Sequence, residues 1–158
     1  MSLLIHGAVI LAILGSALIG GIFFAFSSFI MGALARLPAA GGIAAMQAIN
    51  VVVINATFLA VFFGTALLCL IIGIMAGINW TPASSPYLIT GALLYVVGTF
   101  LVTVVGNVPL NNQLATVTAA DTNALEIWNN YLEKWTLLNS LRSAAGILAA
   151  LSLLLGLI

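Results

Sequence analysis

Charge is what this chain has least of: three basic and three acidic side chains in 158 residues, summing to zero. Three scattered cations cannot make a basic patch, so nucleic acid is not an expected partner. With so few ionisable groups and 64% hydrophobic residues, the expected class is an integral membrane protein. Cysteine is nearly absent too. Cys69 alone excludes an intrachain disulfide, a CxxC metal site and a dithiol redox pair, and in its apolar run it reads as a small buried hydrophobe. His6 is the only histidine. Transition-metal centres draw on several His and carboxylate ligands, so a bound non-haem iron or zinc is not expected, and His6 alone is a poor basis for haem. No cofactor is expected. Four prolines, no charge run and no low-complexity tract leave a single membrane domain over residues 1–158.

What the chain has in abundance is long apolar runs. Residues 3–31, 51–78, 87–106 and 137–158 each meet or nearly meet the ~20 residues that cross a hydrocarbon core. The expected fold is all-α, a four-helix transmembrane bundle. Ala33-Leu34-Ala35 looks like a signal-peptide cleavage box, but no Lys or Arg precedes Arg36 and the apolar run is about twice a signal core, so it reads as a retained helix. The links polarise the molecule. Residues 79–86, with Pro82 and Pro86, form an uncharged turn on the side of both termini, while all six charged side chains lie at the other end. The positive-inside rule makes the charged end cytoplasmic and places both termini outside.

Asp121-Thr122-Asn123, followed by Glu126, reads as the capped start of an amphipathic interfacial helix leading into the fourth span. Leu125, Trp128, Leu132 and Trp135 form its apolar face, and Glu126, Asn129, Asn130 and Glu133 face water. Trp128, Tyr131, Trp135, Asn139 and Arg142 are spaced three, four, four and three apart, which is one face of one helix. Taken singly, the aromatics read as an interfacial belt and Arg142 as a snorkelling cation. Taken together, they read as a stripe facing a bundle interior or a wet cavity, because a guanidinium in lipid is costly. The expected partners of Arg142 are Asn50, Gln47, Asn107 or a backbone carbonyl.

Three other segments bring polar or small residues to the same end. Gln47, Asn50, Ile54 and Thr57 fall at helical spacing where the second span enters; Tyr95, Thr99, Thr103 and Asn107 repeat every four residues in the third. Gly20-Gly21 and Ser27-Ser28 supply small residues to the first, whose Phe23, Phe24, Phe26 and Phe29 wrap around the helix and read as packing. Pro109 restricts Val108 to extended geometry, so the third span is expected to end near Asn107, with Asn111 and Asn112 meeting the freed carbonyls. Converging, these faces would make a half-open pocket for an amphipathic small molecule, roofed by the interfacial helix.

Four ordered motifs carry a resemblance: Gly21-Ile-Phe-Phe-Ala-Phe-Ser-Ser-Phe-Ile-Met31, Met46-Gln-Ala-Ile-Asn50, Gly106-Asn-Val-Pro-Leu-Asn111, and Trp128-x-x-Tyr131-x-x-x-Trp135-Thr-x-x-Asn139-x-x-Arg142. Over nearly its whole length the chain resembles the anthrone oxygenase-like (DUF1772) membrane proteins. That resemblance implies four spans and, for some fungal polyketide-pathway relatives, oxidation of an anthrone to an anthraquinone. Many relatives carry a histidine where this chain has Ser140, so no role for that histidine carries over.

The residues fit a cofactor-independent oxygenase that binds a flat substrate, favours its anion and excludes water. Arg142 is the candidate for holding a phenolate or enolate, and Asn139 with Asn107 or Asn111 for orienting oxygens. Trp128 and Trp135 are candidates for stacking, and Gln47, Asn50 and Tyr131 for lining the site. A strong base is missing, since Glu126 and Glu133 point away from the stripe and Tyr131 would need a lowered pKa. The alternative is a non-catalytic membrane protein that binds a lipid-like or aromatic molecule, or an assembly partner. Membrane lipid and a hydrophobic aromatic molecule are the expected partners, and Gly, Ala and Ser on several faces permit an oligomer.

Overall fold

A computed structural model describes residues 3–118 and 121–158, and among these there are helices and turns but no strand. Four helices are long and apolar enough to cross a membrane: α1 (Leu3–Leu34), α3 (Ala56–Ile78), α4 (Ser85–Ala115) and α5 (Ala124–Leu157). A shorter apolar helix, α2 (Ala39–Val52), joins α1 to α3. The four long helices mark a multi-pass membrane protein.

Short links make sequential helices antiparallel neighbours, and the ring closes because α1 packs on both α3 and α5 while α4 packs on both α3 and α5. Helices α1 and α5 approach each other closely. A Cβ on Gly20 would lie 3.0 Å from Ile147 N, and one on Gly146 would lie 3.1 Å from Gly20 Cα. Glycine on both helices therefore lets their backbones meet, as small residues do in membranes where no hydrophobic effect draws helices together. Gly21, by contrast, has open space around it.

The second span begins at Ala56, not at residue 51. Asn55 has extended backbone angles and its side chain accepts a hydrogen bond from Phe58 N at 3.0 Å, so it caps a new helix and ends the old one. Gln47 and Asn50 consequently belong to α2, which covers the charged end against α5 and the last turns of α4. The third span does not stop at Asn107. Two π-helical stretches, Leu94–Leu101 and Thr103–Asn107, precede Pro109, and Val108 is helical (φ −61°, ψ −46°) with its N–H on Thr103 O. This widened turn puts Pro109 in the opening turn of the next α-helical stretch.

Helix α5 runs unbroken from the interfacial segment into its span, with Ala124, Trp128, Tyr131 and Trp135 on its buried face. Leu125 is 62% exposed and is not part of that face. Nor does Asn123 cap the helix with its side chain. Instead Asp121 accepts from Thr118 N at 2.9 Å and from Thr118 Oγ1 at 3.0 Å. The backbone bond first, and the hydroxyl second, hold its carboxyl below its ordinary pKa.

Two apolar clusters fill the bundle. One, around Val9, Ile19, Phe62, Cys69, Tyr95 and Leu153, occupies the end of the termini; the other, around Met31, Met46, Leu114, Trp128 and Trp135, occupies the charged end. Between them, on α1, α4 and α5 alike, sequence order places a polar layer.

Candidate functional site

That layer consists of Ser27 on α1, Thr99, Thr103 and Asn107 on α4, and Asn139, Arg142 and Ser143 on α5. Asn139, Asn107 and Thr99 are fully buried and Arg142 is 5% exposed. Buried polar groups need partners, and here most are found across helix seams. Asn139 Nδ2 donates to Phe23 O and Ser27 Oγ, both at 2.6 Å. Ser143 Oγ donates to Gly20 O at 3.0 Å, Thr99 Oγ1 to Arg142 O at 3.0 Å, and Asn107 Nδ2 to Trp135 O at 3.1 Å. These bonds tie α5 to α1 on one side and to α4 on the other.

Arg142 is the centre of the layer. Its Nε and Nη2 both donate to Asn139 Oδ1, at 3.1 and 2.8 Å, and its Nη1 donates to Thr103 Oγ1 at 3.2 Å. The guanidinium carbon lies 3.8 Å from the Phe23 ring centroid and 5.0 Å from that of Trp135. Burial and stacking rule out snorkelling. The partners are not those expected from the sequence: Asn50, Gln47 and Asn107 make no bond to Arg142, and Thr103 and Asn139 do. None of its partners is a carboxylate. The bonds use three of the five N–H groups of a guanidinium, leaving one on each Nη without a protein acceptor among the described residues.

Beside Arg142 lies a cavity of about 240 Å³. Helix α1 contributes Ile22, Phe23 and Phe26, α2 contributes Met46, Ile49 and Asn50, and α3 contributes Phe58, Leu59, Phe62 and Phe63. Val53 and Ile54 of the link between α2 and α3, Thr103, Val104, Val108 and Asn111 of α4, and Trp135 and Arg142 of α5 complete the wall. The polar groups on this mostly aromatic and aliphatic wall are Arg142, Thr103, Asn50, Asn111 and the indole N–H. Asn50 Nδ2 is buried without a hydrogen-bond partner. Asn111 Oδ1 accepts from both Tyr131 OH and Trp135 Nε1 at 2.8 Å, which fixes the Trp135 ring against the cavity.

The structure thus brings Arg142, Trp135, Asn50 and Asn111 to one cavity, with Asn139 behind Arg142 as its holder. It places four other candidates elsewhere. Gln47 Nε2 donates to Leu114 O and Val117 O at 2.8 and 3.0 Å, stitching α2 to the end of α4. Trp128 is covered by Gly42, where an added Cβ would lie 2.7 Å from the indole, so it is packing. Tyr131 stacks between Trp128 and Trp135, at 5.7 and 6.0 Å, and turns its hydroxyl to Asn111. Asn107 is buried on Trp135 O. Of the interfacial segment only Trp135 reaches the cavity wall, and the segment stays packed on the other helices. Phe23 and Phe26, read from the sequence as packing, line the cavity, and Thr103, read only as part of a converging polar repeat, also accepts from Arg142. The signal for Thr103 was present in its four-residue repeat with Thr99 and Asn107; for the phenylalanines, on an all-apolar helix, there was none.

Among the described residues no group of three His, Cys, Asp or Glu could hold a metal ion. The model of the anthrone oxygenase family matches residues 53–152, which contain Thr103, Asn111, Trp135, Asn139 and Arg142 but not Phe23 or Asn50. No curated protein and no solved structure matches the chain.

Proposed function

The chain belongs to the anthrone oxygenase family, and from that premise we propose that its cavity binds a flat aromatic enol or phenol as the anion and presents it to dioxygen. The observation that carries this reading is Arg142: a buried cation at the wall of an apolar cavity, with no carboxylate partner and two N–H groups to spare. In such a place an anionic oxygen is the natural complement, because a planar guanidinium grips an oxygen far more strongly in low dielectric than in water. The volume lies just under the ~300 Å³ at which ordinary ligand sites begin, which favours a small, flat molecule. Trp135 and Phe23 offer it faces, and Asn50 Nδ2 a further donor.

For an anthrone the chemistry balances without a further reactant. Loss of a proton from the ring CH2 gives an enolate whose charge Arg142 stabilises at oxygen. The electron-rich carbon reduces dioxygen and forms a C–O bond; the resulting peroxide anion takes up the proton, and the hydroperoxide so formed loses water, leaving a carbonyl. No carboxylate or imidazole lines the cavity. Arg142 therefore serves by lowering the pKa of the substrate itself, a water molecule carried in the cavity holding the proton until the peroxide takes it back. The missing base is also what favours the second reading, a binding protein without catalysis.

The test uses the protein in phosphatidylcholine vesicles under air with 1,8-dihydroxyanthrone. Oxygen uptake matched by quinone formation, above protein-free vesicles, supports the oxygenase; binding without uptake supports the binder, and neither refutes both. The same reading keeps the charged end cytoplasmic, by the positive-inside rule. Labelling of Ser84→Cys by an impermeant maleimide from the outside of intact cells checks it, Cys69 being buried.

A further inference from the structure

The rim of the cavity has a direction. Most lining side chains are buried or half-buried, and the exposed ones are Ile54 and Phe63 on one side and Val104 and Val108 on the other. All are apolar. They stand at the entry to α3 and in the second half of α4, two helices that pack together along Ser85–Leu101 and part beyond it. A gap between two spans, edged by apolar side chains, faces acyl chains and not water.

Two other routes are closed. At the charged end Met46, Leu114, Trp128 and Trp135 pack into one cluster, and Gln47 ties α2 to two carbonyls at the end of α4. On the side of α1 and α5, Asn139 closes the seam through Phe23 O and Ser27 Oγ.

We infer that the ligand reaches Arg142 sideways from the bilayer, through the gap between Phe63 and the Val104–Val108 edge. This deepens the function proposed above and rests on it. It also narrows the ligand class. A molecule that crosses lipid must do so neutral, because an ion in hydrocarbon is costly, yet at Arg142 the anion is favoured. The ligand is therefore a lipid-soluble weak acid that ionises on arrival. A permanently charged compound of the same shape cannot use the path.

The full chain in phosphatidylcholine vesicles, with Trp80→Phe to remove an exposed indole, reports binding as quenching of tryptophan emission. The probes are 1,8-dihydroxyanthraquinone, a lipid-soluble weak acid, and anthraquinone-2-sulfonate, an anion at every accessible pH. The first is expected to bind and the second not. Val104→Phe with Val108→Phe narrows the gap at lipid-facing positions. Association and dissociation should then both slow by about tenfold, the effect of roughly 1.4 kcal/mol on a barrier. Phe63→Ala should speed both. Leu137→Phe, on the outer face of α5 beside the α1 seam, should change neither.

Sulfonate binding as tight as that of the weak acid overturns lateral entry. So do unchanged rates in both the narrowed and the widened variant while the weak acid still binds, or slowing by Leu137→Phe alone. Failure of the weak acid to bind the parent chain overturns the proposed function itself, and the entry path with it.

Discussion

Replacing Arg142 by lysine separates a ligand-holding guanidinium from a structural one. The charge stays, but one ammonium cannot reproduce the fork that reaches Asn139 Oδ1 twice and Thr103 Oγ1 once. For the fold, the loss is the tie from α5 to Thr103 on α4. Cross-helix hydrogen bonds in membranes contribute on average about 0.6 kcal/mol, because the separated helices also find partners. For the ligand, the loss is one or both free N–H groups, and a hydrogen bond to a charged group is worth about 1.5–3 kcal/mol. Binding of 1,8-dihydroxyanthraquinone should thus weaken by roughly tenfold to a hundredfold, while the midpoint of unfolding by dodecyl sulfate moves little. Quenching titration and unfolding by circular dichroism, on the same preparation, measure the two. Wild-type affinity in the lysine variant would refute the anion-holding role. Collapse of the fold with no separable binding effect would make Arg142 a structural residue only.

Three further outcomes follow from the geometry. Asn111→Leu removes the acceptor shared by Tyr131 OH and Trp135 Nε1; each stranded donor costs about 1–3 kcal/mol, so unfolding should come earlier and Trp135 emission should shift, and no change in either would show that the shared bond matters little. Gly146→Val pushes a branched side chain into the Gly20 backbone and should destabilise by roughly 1–3 kcal/mol, as overpacking does; an unfolding midpoint equal to that of the parent chain would contradict the close α1–α5 crossing. The lowered pKa of Asp121 means that its bonds to Thr118 stabilise the turn above the ordinary carboxylate value and are lost as pH falls through the lowered one. Hydrogen exchange at the Thr118 amide should therefore lose protection on acidification, and in Asp121→Asn its protection should be flat over the same range; a wild-type profile that stays flat would rule out the linkage.

Span number and the α5 stripe were legible because both depend on periodicity. Apolar length marks a helix in lipid almost regardless of neighbours, and the three-four spacing from Trp128 to Arg142 survives because α5 is an unbroken α-helix. The boundary at Asn55 could have been read from an asparagine three residues before Phe58, a cap signal that the surrounding run of Val and Ile hides. The partners of Arg142 were not legible in the same way. Thr103 is 39 residues away, and no local rule pairs the two. Nor does anything in the first span single out Phe23 from Phe24; the packing of α1 against α5 puts the Phe23 ring under the guanidinium.

The third helix shows why one strong local rule gave the wrong end. Tyr95, Thr99, Thr103 and Asn107 step by four, and in an α-helix of 3.6 residues per turn each step drifts about 40° around the axis. A strict α-helix would carry Asn107 a third of a turn away from Tyr95. The wide turns of Leu94–Leu101 and Thr103–Asn107 oppose that drift, so Tyr95, Thr99 and Asn107 are all fully buried towards the bundle. Thr103 Oγ1, donating to Thr99 O at 2.8 Å, takes up a carbonyl of the widened backbone while it accepts from Arg142. The same widening receives Pro109 without a break, so the helix continues far enough to bring Asn111 to Trp135. A proline that would end an ordinary helix here follows a π turn, and the polar repeat before it keeps its buried face through that turn.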